Sequence, residues 1–259
     1  MHKKLVGIVL LLTGIVALAA CTETIKFEGP EFFGNPLTLK GSLQKPEGEG
    51  PFPAVVLLHG ASGVNVKRNH DWVLRLKRWG YVTLLVDSFG PRGAGSSHHH
   101  VVVPEMRAQD AYAAKRYLAN LPFVDHERIG LMGWSHGGWS VLWALSNRLP
   151  PEERSHPFQA AVAFYPRCDV YMNDLNAPLL ILIGELDETF SAQACSGMTP
   201  PEGESAHEVK LKVYPGAYHC FDWAGLDIRD NEGRKLKYSP RAAADAEIQV
   251  KNFLLKYLQ

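Results

Sequence analysis

The chain has no excess of charge of either sign. Lysine plus arginine and aspartate plus glutamate both number 27, so the formal net charge is zero. A nucleic-acid or polyanion partner, which calls for a concentrated basic surface, is not expected. Internal repeats and long low-complexity runs are missing as well. The glycine-rich stretches fit neither G-x-G-x-x-G nor G-x-x-x-x-G-K-[ST], so no phosphate cradle and no cofactor are expected. Cysteine is scarce, with four in the chain. Histidine is not, yet the run His98-His99-His100 sets adjacent side chains in different directions and no matching carboxylate pattern follows. No metal is expected.

What is present suits one globular domain: 259 residues, 46% hydrophobic and 21% charged. The first twenty residues stand apart. A basic start, "MHKK", leads into the apolar run "LVGIVLLLTGIVALAA", which has the form of a signal peptide. It ends in Leu18-Ala19-Ala20-Cys21, which resembles a bacterial lipobox. The expected organisation is a leader over 1–20, lipid attachment at Cys21, a tether over 21–34 and the fold over 35–259. This implies a place in the cell envelope, anchored to a membrane. A cleaved signal without lipid and an uncleaved anchor are the alternatives. In an oxidising compartment, three cysteines beyond Cys21 suggest one bridge and one free thiol. Cys168 and Cys195 fall at the same end of the expected sheet and form the candidate bridge. Cys220 then remains as a small buried filler.

Strand-like apolar runs alternate with helical patterns. "AVVLLHG", "YVTLLVD", "RIGLMG", "QAAVAFYP", "PLLILIG" and "EVKLKVYP" read as strands. "RNHDWVLRLKRWG", "PEMRAQDAYAAKRYLANLP", "SHGGWSVLWALSNRL" and the C-terminal "SPRAAADAEIQVKNFLLKYLQ" read as helices. Strands without a polar face, alternating with helices, predict a mostly parallel sheet covered on both sides. Ligand sites in such sheets form beyond the C-terminal strand ends.

The residues just past those ends carry the chemistry. Gly133-Trp134-Ser135-His136-Gly137 is a G-x-S-x-G pattern between a strand and a helix, the setting of a nucleophile elbow. A serine needs a base, and the base needs an orienting acid, in the chain order Ser, acid, His. Asp187 and His219 follow later strands in that order. Glu185 and Asp222 are the alternative acids. The oxyanion donors are expected to be the N–H of His136, next after the nucleophile, and of Ala61, with Ser62 the second choice. Arg92 could orient an acidic substrate from its loop, and Trp134 could add a wall; a solvated loop arginine and a packing tryptophan are the plain alternatives.

The motifs "GWSHGG", "GELD", "YPGAYHCFD", "LLHGASGVN" and "DSFGPRG" resemble the dienelactone hydrolase family, in order and across nearly the whole chain after the leader. The resemblance implies an α/β-hydrolase fold. Founding members of that family use a cysteine nucleophile and carry a glutamate beside the oxyanion loop; this chain has Ser135 and Gly60 there. A serine esterase for a small-molecule ester, lactone or thioester is thereby favoured over dienelactone itself. A non-catalytic envelope module, or a peptidase or acyltransferase on the same residues, is the rival. The short segment from Pro166 to Pro178 leaves no room for a large cap. Nothing in the sequence fixes an oligomeric state.

Overall fold

A computed structural model describes residues 23–95 and 101–259. The expected leader over 1–20, Cys21 and His98 to His100 lie outside the described residues. The central sheet has eight strands in the order β1-β2-β4-β3-β5-β6-β7-β8. They are β1 (Glu23–Glu28), β2 (Thr38–Gln44), β3 (Phe52–Leu58), β4 (Val82–Asp87), β5 (Val124–Trp134), β6 (Ala161–Phe164), β7 (Leu179–Gly184) and β8 (Val209–Tyr214). All pairings from β4 through β8 are parallel, whereas β2 runs antiparallel to both β1 and β4.

The burial of each strand follows its composition. "AVAF" of β6 and "LLILIG" of β7 are buried at every position, as strands sandwiched between helices must be. β1 buries only alternate residues, Ile25 and Phe27, because one of its faces meets water. Segment 21–34 is therefore not simply a tether: from Glu23 it forms the edge strand of the sheet. Strand-like patterning was legible there, but pairing with β2 is a contact that no local pattern reports.

Four long helices cover the sheet: α1 (Lys67–Arg78), α2 (Pro104–Ala119), α3 (His136–Leu145) and α6 (Pro240–Leu258), with short α4 (Pro151–Arg154) and α5 (Ala192–Met198) between them. Strand alternation puts residues 130 and 133 of β5 on opposite faces. A side chain on Gly130 would meet Leu258 of α6, and one on Gly133 would meet Gly137 of α3. Arg75 of α1 pairs with Glu247 of α6 at 2.9 Å. Tyr112 of α2 donates to the Ala144 carbonyl of α3 at 3.0 Å. The helices thus pack in two pairs, one on each face.

The connection from β6 to β7 holds neither helix nor strand, so no large cap grows from it. A hairpin of β9 (Asp227–Arg229) and β10 (Lys235–Lys237) was not anticipated; its strands are short, charged and largely exposed. Cys168 and Cys195 form a disulfide, with Cα atoms 4.9 Å apart and a sequence separation of 27. Among the described residues, Cys220 is the free, buried thiol.

Closing a loop of that length stabilises the fold by about 3.5 kcal/mol in the chain-entropy account. The Cys168→Ala/Cys195→Ala variant is expected to unfold at a lower denaturant midpoint by about that free energy. Coincident unfolding curves for variant and wild type would refute it.

Candidate active site

β5 ends at Trp134 and α3 begins at His136, leaving Ser135 alone to turn the chain. Its backbone sits at φ 53°, ψ −115°, a region that costs a non-glycine residue about 1–3 kcal/mol. The turn is held because Ser135 N–H donates to the Phe164 carbonyl at 2.9 Å. Crowding explains the flanking glycines. A Cβ on Gly133 would lie 2.4 Å from the Gly137 carbonyl oxygen, and one on Gly137 would lie 2.2 Å from that of Leu58. Neither position accepts a side chain, so the G-x-S-x-G spacing is a steric requirement.

Two later strand ends bring up the partners. After β7, Asp187 turns back so that its Oδ1 accepts the N–H groups of Thr189 and Phe190, both at 2.8 Å. This leaves Oδ2 for His219 Nδ1 at 2.7 Å, and His219 Nε2 lies 3.0 Å from Ser135 Oγ. The acid and base side chains are 0% and 4% exposed. With Nδ1–H donated to the carboxylate, Nε2 is free to accept the serine proton. Glu185 is turned elsewhere, accepting the Gly216 N–H at 2.9 Å. The loop bearing His219 is tied down from behind, as Lys237 N–H of β10 donates to the His219 carbonyl at 3.1 Å.

Asp222, three residues past His219, is not the acid. It accepts from Trp72 Nε1 at 2.8 Å, Trp134 Nε1 at 3.0 Å and Tyr165 Oη at 2.6 Å. Arg68, buried under the rings of Trp134 and Trp223, donates to the same Tyr165 hydroxyl at 3.0 Å. The Tyr165 ring in turn lies 4.5 Å from the His219 ring. Sequence reasoning missed this group. The short spacing between His219 and Asp222 was the available signal; Arg68, at the head of an amphipathic helix, carried none.

Two expected substrate contacts are corrected. Arg92 is 1% exposed and binds Asp110 through both Nη atoms at 2.8 Å, so it braces its loop against α2. A carboxylate buried as fully as Asp110 must be paired, and Arg92 is what pairs it. Trp134 is fully buried between Trp72 and Phe164 and offers no face to a ligand. An open cavity of about 480 Å³ does lie beside the site, lined by Arg167, Cys168, Thr189, Phe190 and Arg234 among others. Phe190 links it to the base, its ring 5.6 Å from that of His219. Among the described residues, no group of His, Cys, Asp and Glu could hold a metal ion.

Ala61 and His136 belong to two segments that border the serine. Ala61 lies in the turn after β3, closed by Gly63 N–H to the Gly60 carbonyl at 3.1 Å. His136 opens α3. A methyl group on Gly60 would come 3.6 Å from Ser135 Cβ, so this turn borders the serine. His59, just before it, is fully buried. Its Nδ1–H donates to the Gly60 carbonyl at 2.7 Å, and its Nε2 accepts Ser88 N–H at 3.4 Å.

A mostly parallel sheet, with serine, histidine and aspartate hydrogen-bonded at its strand tips, defines the α/β-hydrolase class. Within that class the chain belongs to the dienelactone hydrolase family, whose sequence model matches residues 39–258. It is similar to a "Probable 2-oxo-3-(5-oxofuran-2-ylidene)propanoate lactonase" of Bradyrhizobium sp, 25% identical over 215 residues, covering 77% of this chain and 86% of that one. It is also similar to human dipeptidyl peptidase 8, 29% identical over 157 residues, covering 56% of this chain but only 16% of the peptidase. Among solved structures, a dienelactone hydrolase-like promiscuous phosphotriesterase from metagenomic libraries superposes with a TM-score of 0.70 at 18% identity, covering 92% of this chain and 99% of that one. Dienelactone hydrolase from Anabaena variabilis gives 0.64 at 20%, covering 92% and 99%.

Burial, and next the nearby Arg107 charge, hold the His59 imidazole well below its ordinary value of 6.5. It is neutral in the fold, whereas the unfolded chain takes up a proton below about pH 6.5. Stability is therefore full above that pH. It is lost as pH falls, by up to about 1.4 kcal/mol per unit, until the folded-state value is reached. Between about pH 6.5 and pH 5, the thermal midpoint should drop more steeply for wild type than for His59→Asn. Parallel curves would exclude this linkage.

Proposed function

We propose that this chain is an exported serine hydrolase acting on small ester, lactone or thioester substrates. The observation that carries the reading is the unbroken line from Asp187 through His219 to Ser135, at 2.7 and 3.0 Å. In this reading Ser135 Oγ attacks the carbonyl carbon while His219 Nε2 takes its proton. Asp187 holds the imidazole in the tautomer that makes this possible. The N–H groups of Ala61 and His136 stabilise the oxyanion, the second aided by the start of α3. His219 then protonates the leaving group, and water activated by the same imidazole releases the acid.

The Bradyrhizobium relative, named as a probable lactonase, supports a lactone or ester substrate. The peptidase relative supports a second reading, in which the same residues cleave a peptide bond. A fluorophosphonate probe followed by peptide mapping tests the mechanism common to both. Wild type should be labelled on Ser135, and Ser135→Ala should lose labelling and about 10⁴-fold or more in turnover. Labelling that persists in the variant would overturn the mechanism. A panel of esters, lactones and short peptides separates the two substrate classes.

The short connection between β6 and β7 and the open cleft supply little apolar wall for a long acyl chain. Each methylene gains about 0.8 kcal/mol only where a wall receives it. kcat/KM for p-nitrophenyl esters is expected to peak between acetate and butyrate and to fall by octanoate. A steady rise through dodecanoate would refute the open-cleft reading.

Export and lipid attachment at Cys21 rest on the sequence of the leader. Intact-mass analysis of membrane-associated protein is expected to give a mature chain starting at an acylated Cys21. A soluble chain starting elsewhere would refute it.

A further inference from the structure

We propose that Arg107 is a positioning residue that fixes the spacing of the two oxyanion donors. This rests on the reading of Ser135 as nucleophile and of the Ala61 and His136 N–H groups as those donors. Arg107 belongs to the first turns of α2, and its side chain is completely buried. Nη1 meets His136 Nδ1 at 2.7 Å, and Nη2 donates to the His59 carbonyl at 2.6 Å. His136 directly follows the nucleophile. His59 directly precedes the Gly60-Ala61 turn. One rigid, planar cation therefore spans the two separate stretches of chain from which the donors come. A guanidinium suits this task because the geometry between its two Nη atoms is fixed. A lysine ammonium has no such fork.

The link on the His59 side reaches the donor through a short chain of constraints. The Gly60 carbonyl and the Ala61 N–H belong to one planar, trans peptide unit, so they point in opposite directions. His59 Nδ1–H holds that carbonyl at 2.7 Å, and Gly63 N–H holds it at 3.1 Å. Fixing the carbonyl aims the N–H. The His59 main chain is in turn anchored by Arg107. On the other side, Arg107 grips the imidazole of the residue whose own N–H is the second donor. Each donor is thus braced by its neighbours, and Arg107 is the shared brace.

Charge acts in the same direction. Asp110, the nearest buried carboxylate on α2, is engaged in both directions by Arg92. Arg107 hydrogen-bonds instead to a carbonyl oxygen and an imidazole nitrogen, and the Asp110 and Asp87 carboxylates act on it through charge alone. Burial brings its pKa down to about 9, which leaves it charged at neutral pH. A fixed positive charge behind two N–H donors favours an anion in front of them.

The test compares wild type with Arg107→Gln, checking folding by circular dichroism. Each preparation is normalised by fluorophosphonate titration of Ser135. Two quantities are read: kcat and KM for p-nitrophenyl acetate, and the inhibition constant of a trifluoromethyl ketone. The ketone adds Ser135 Oγ to its carbonyl carbon, passes the serine proton to His219 and places its oxygen as an oxyanion between the donors. Displacing a donor by an ångström is enough to lose about 100-fold. The expected result is a fall of about that size in kcat per titrated site, with KM changed less than about threefold. Ketone affinity should weaken by the same factor as kcat/KM. Folded Arg107→Gln with both quantities within about threefold of wild type would overturn the proposal while leaving the serine mechanism intact. A fall in kcat with ketone affinity unchanged would also overturn it, since Arg107 would then act on something other than the oxyanion. Should Arg107→Gln fail to fold, His136→Ala decides on the same two readouts. Matched losses of about tenfold or more support the brace, and no change in either overturns it. Wild type that neither hydrolyses esters nor labels at Ser135 defeats the underlying reading, and the proposal with it.

Discussion

The site depends on how closely the first turn of α3 passes the end of β3. Leu58 and Gly133 pair in adjacent parallel strands, and the chain then turns at Ser135 over that pair. The space left is too small for any side chain on Gly137, where a Cβ would fall 2.2 Å from one carbonyl oxygen and 2.6 Å from the next. This contact brings the residue after the serine against the loop after β3. Two backbone segments far apart in sequence thereby face one small volume. The strain in Ser135 is sustained because the strands on both sides are locked in register.

Around this backbone framework lies an unusually polar inner layer. Arg107, the Arg92–Asp110 pair and the Arg68–Tyr165 pair are each withdrawn from water by different helices and strand ends, with Asp222 half-buried beside the last. Burying such groups is unfavourable unless their partners are in place, and removing one partner leaves the other stranded. Apolar packing tolerates small slides between helices, whereas these hydrogen-bonded contacts do not. They hold α1, α2 and the loop of His219 to one arrangement relative to the elbow.

What the sequence disclosed follows from how local each signal is. The inner strands are continuous apolar runs because both faces are covered, and "LLILIG" or "AVVLL" admits few other readings. The elbow is local too, since its glycines and serine occupy five consecutive positions. Asp187 and His219 were legible through their place after strand ends, and Glu185 could be set aside only once its bond to the Gly216 N–H was seen. Arg92 was misjudged because its partner Asp110 lies in a helix, where a carboxylate looks like part of a solvated face. Arg68 and Arg107 were invisible because an arginine within a helical pattern looks like part of a solvated face, and their partners lie far away in sequence. The β9–β10 hairpin escaped because strands such as "DIR" and "KLK" bury almost nothing, so no hydrophobic period marks them. β1 had the right period, but its place in the sheet is set by pairing with β2, which is not a property of its own residues.

Trp72 and Trp134 share a single acceptor, Asp222, and the second of them immediately precedes Ser135. Indole emission is sensitive to the charge and hydrogen bonding at its ring nitrogen. The molecule therefore carries an intrinsic optical reporter one residue from its proposed nucleophile, wired through one carboxylate to α1 and to the loop of the proposed base. Events that loosen that junction change the light the protein emits, without any dye having been attached.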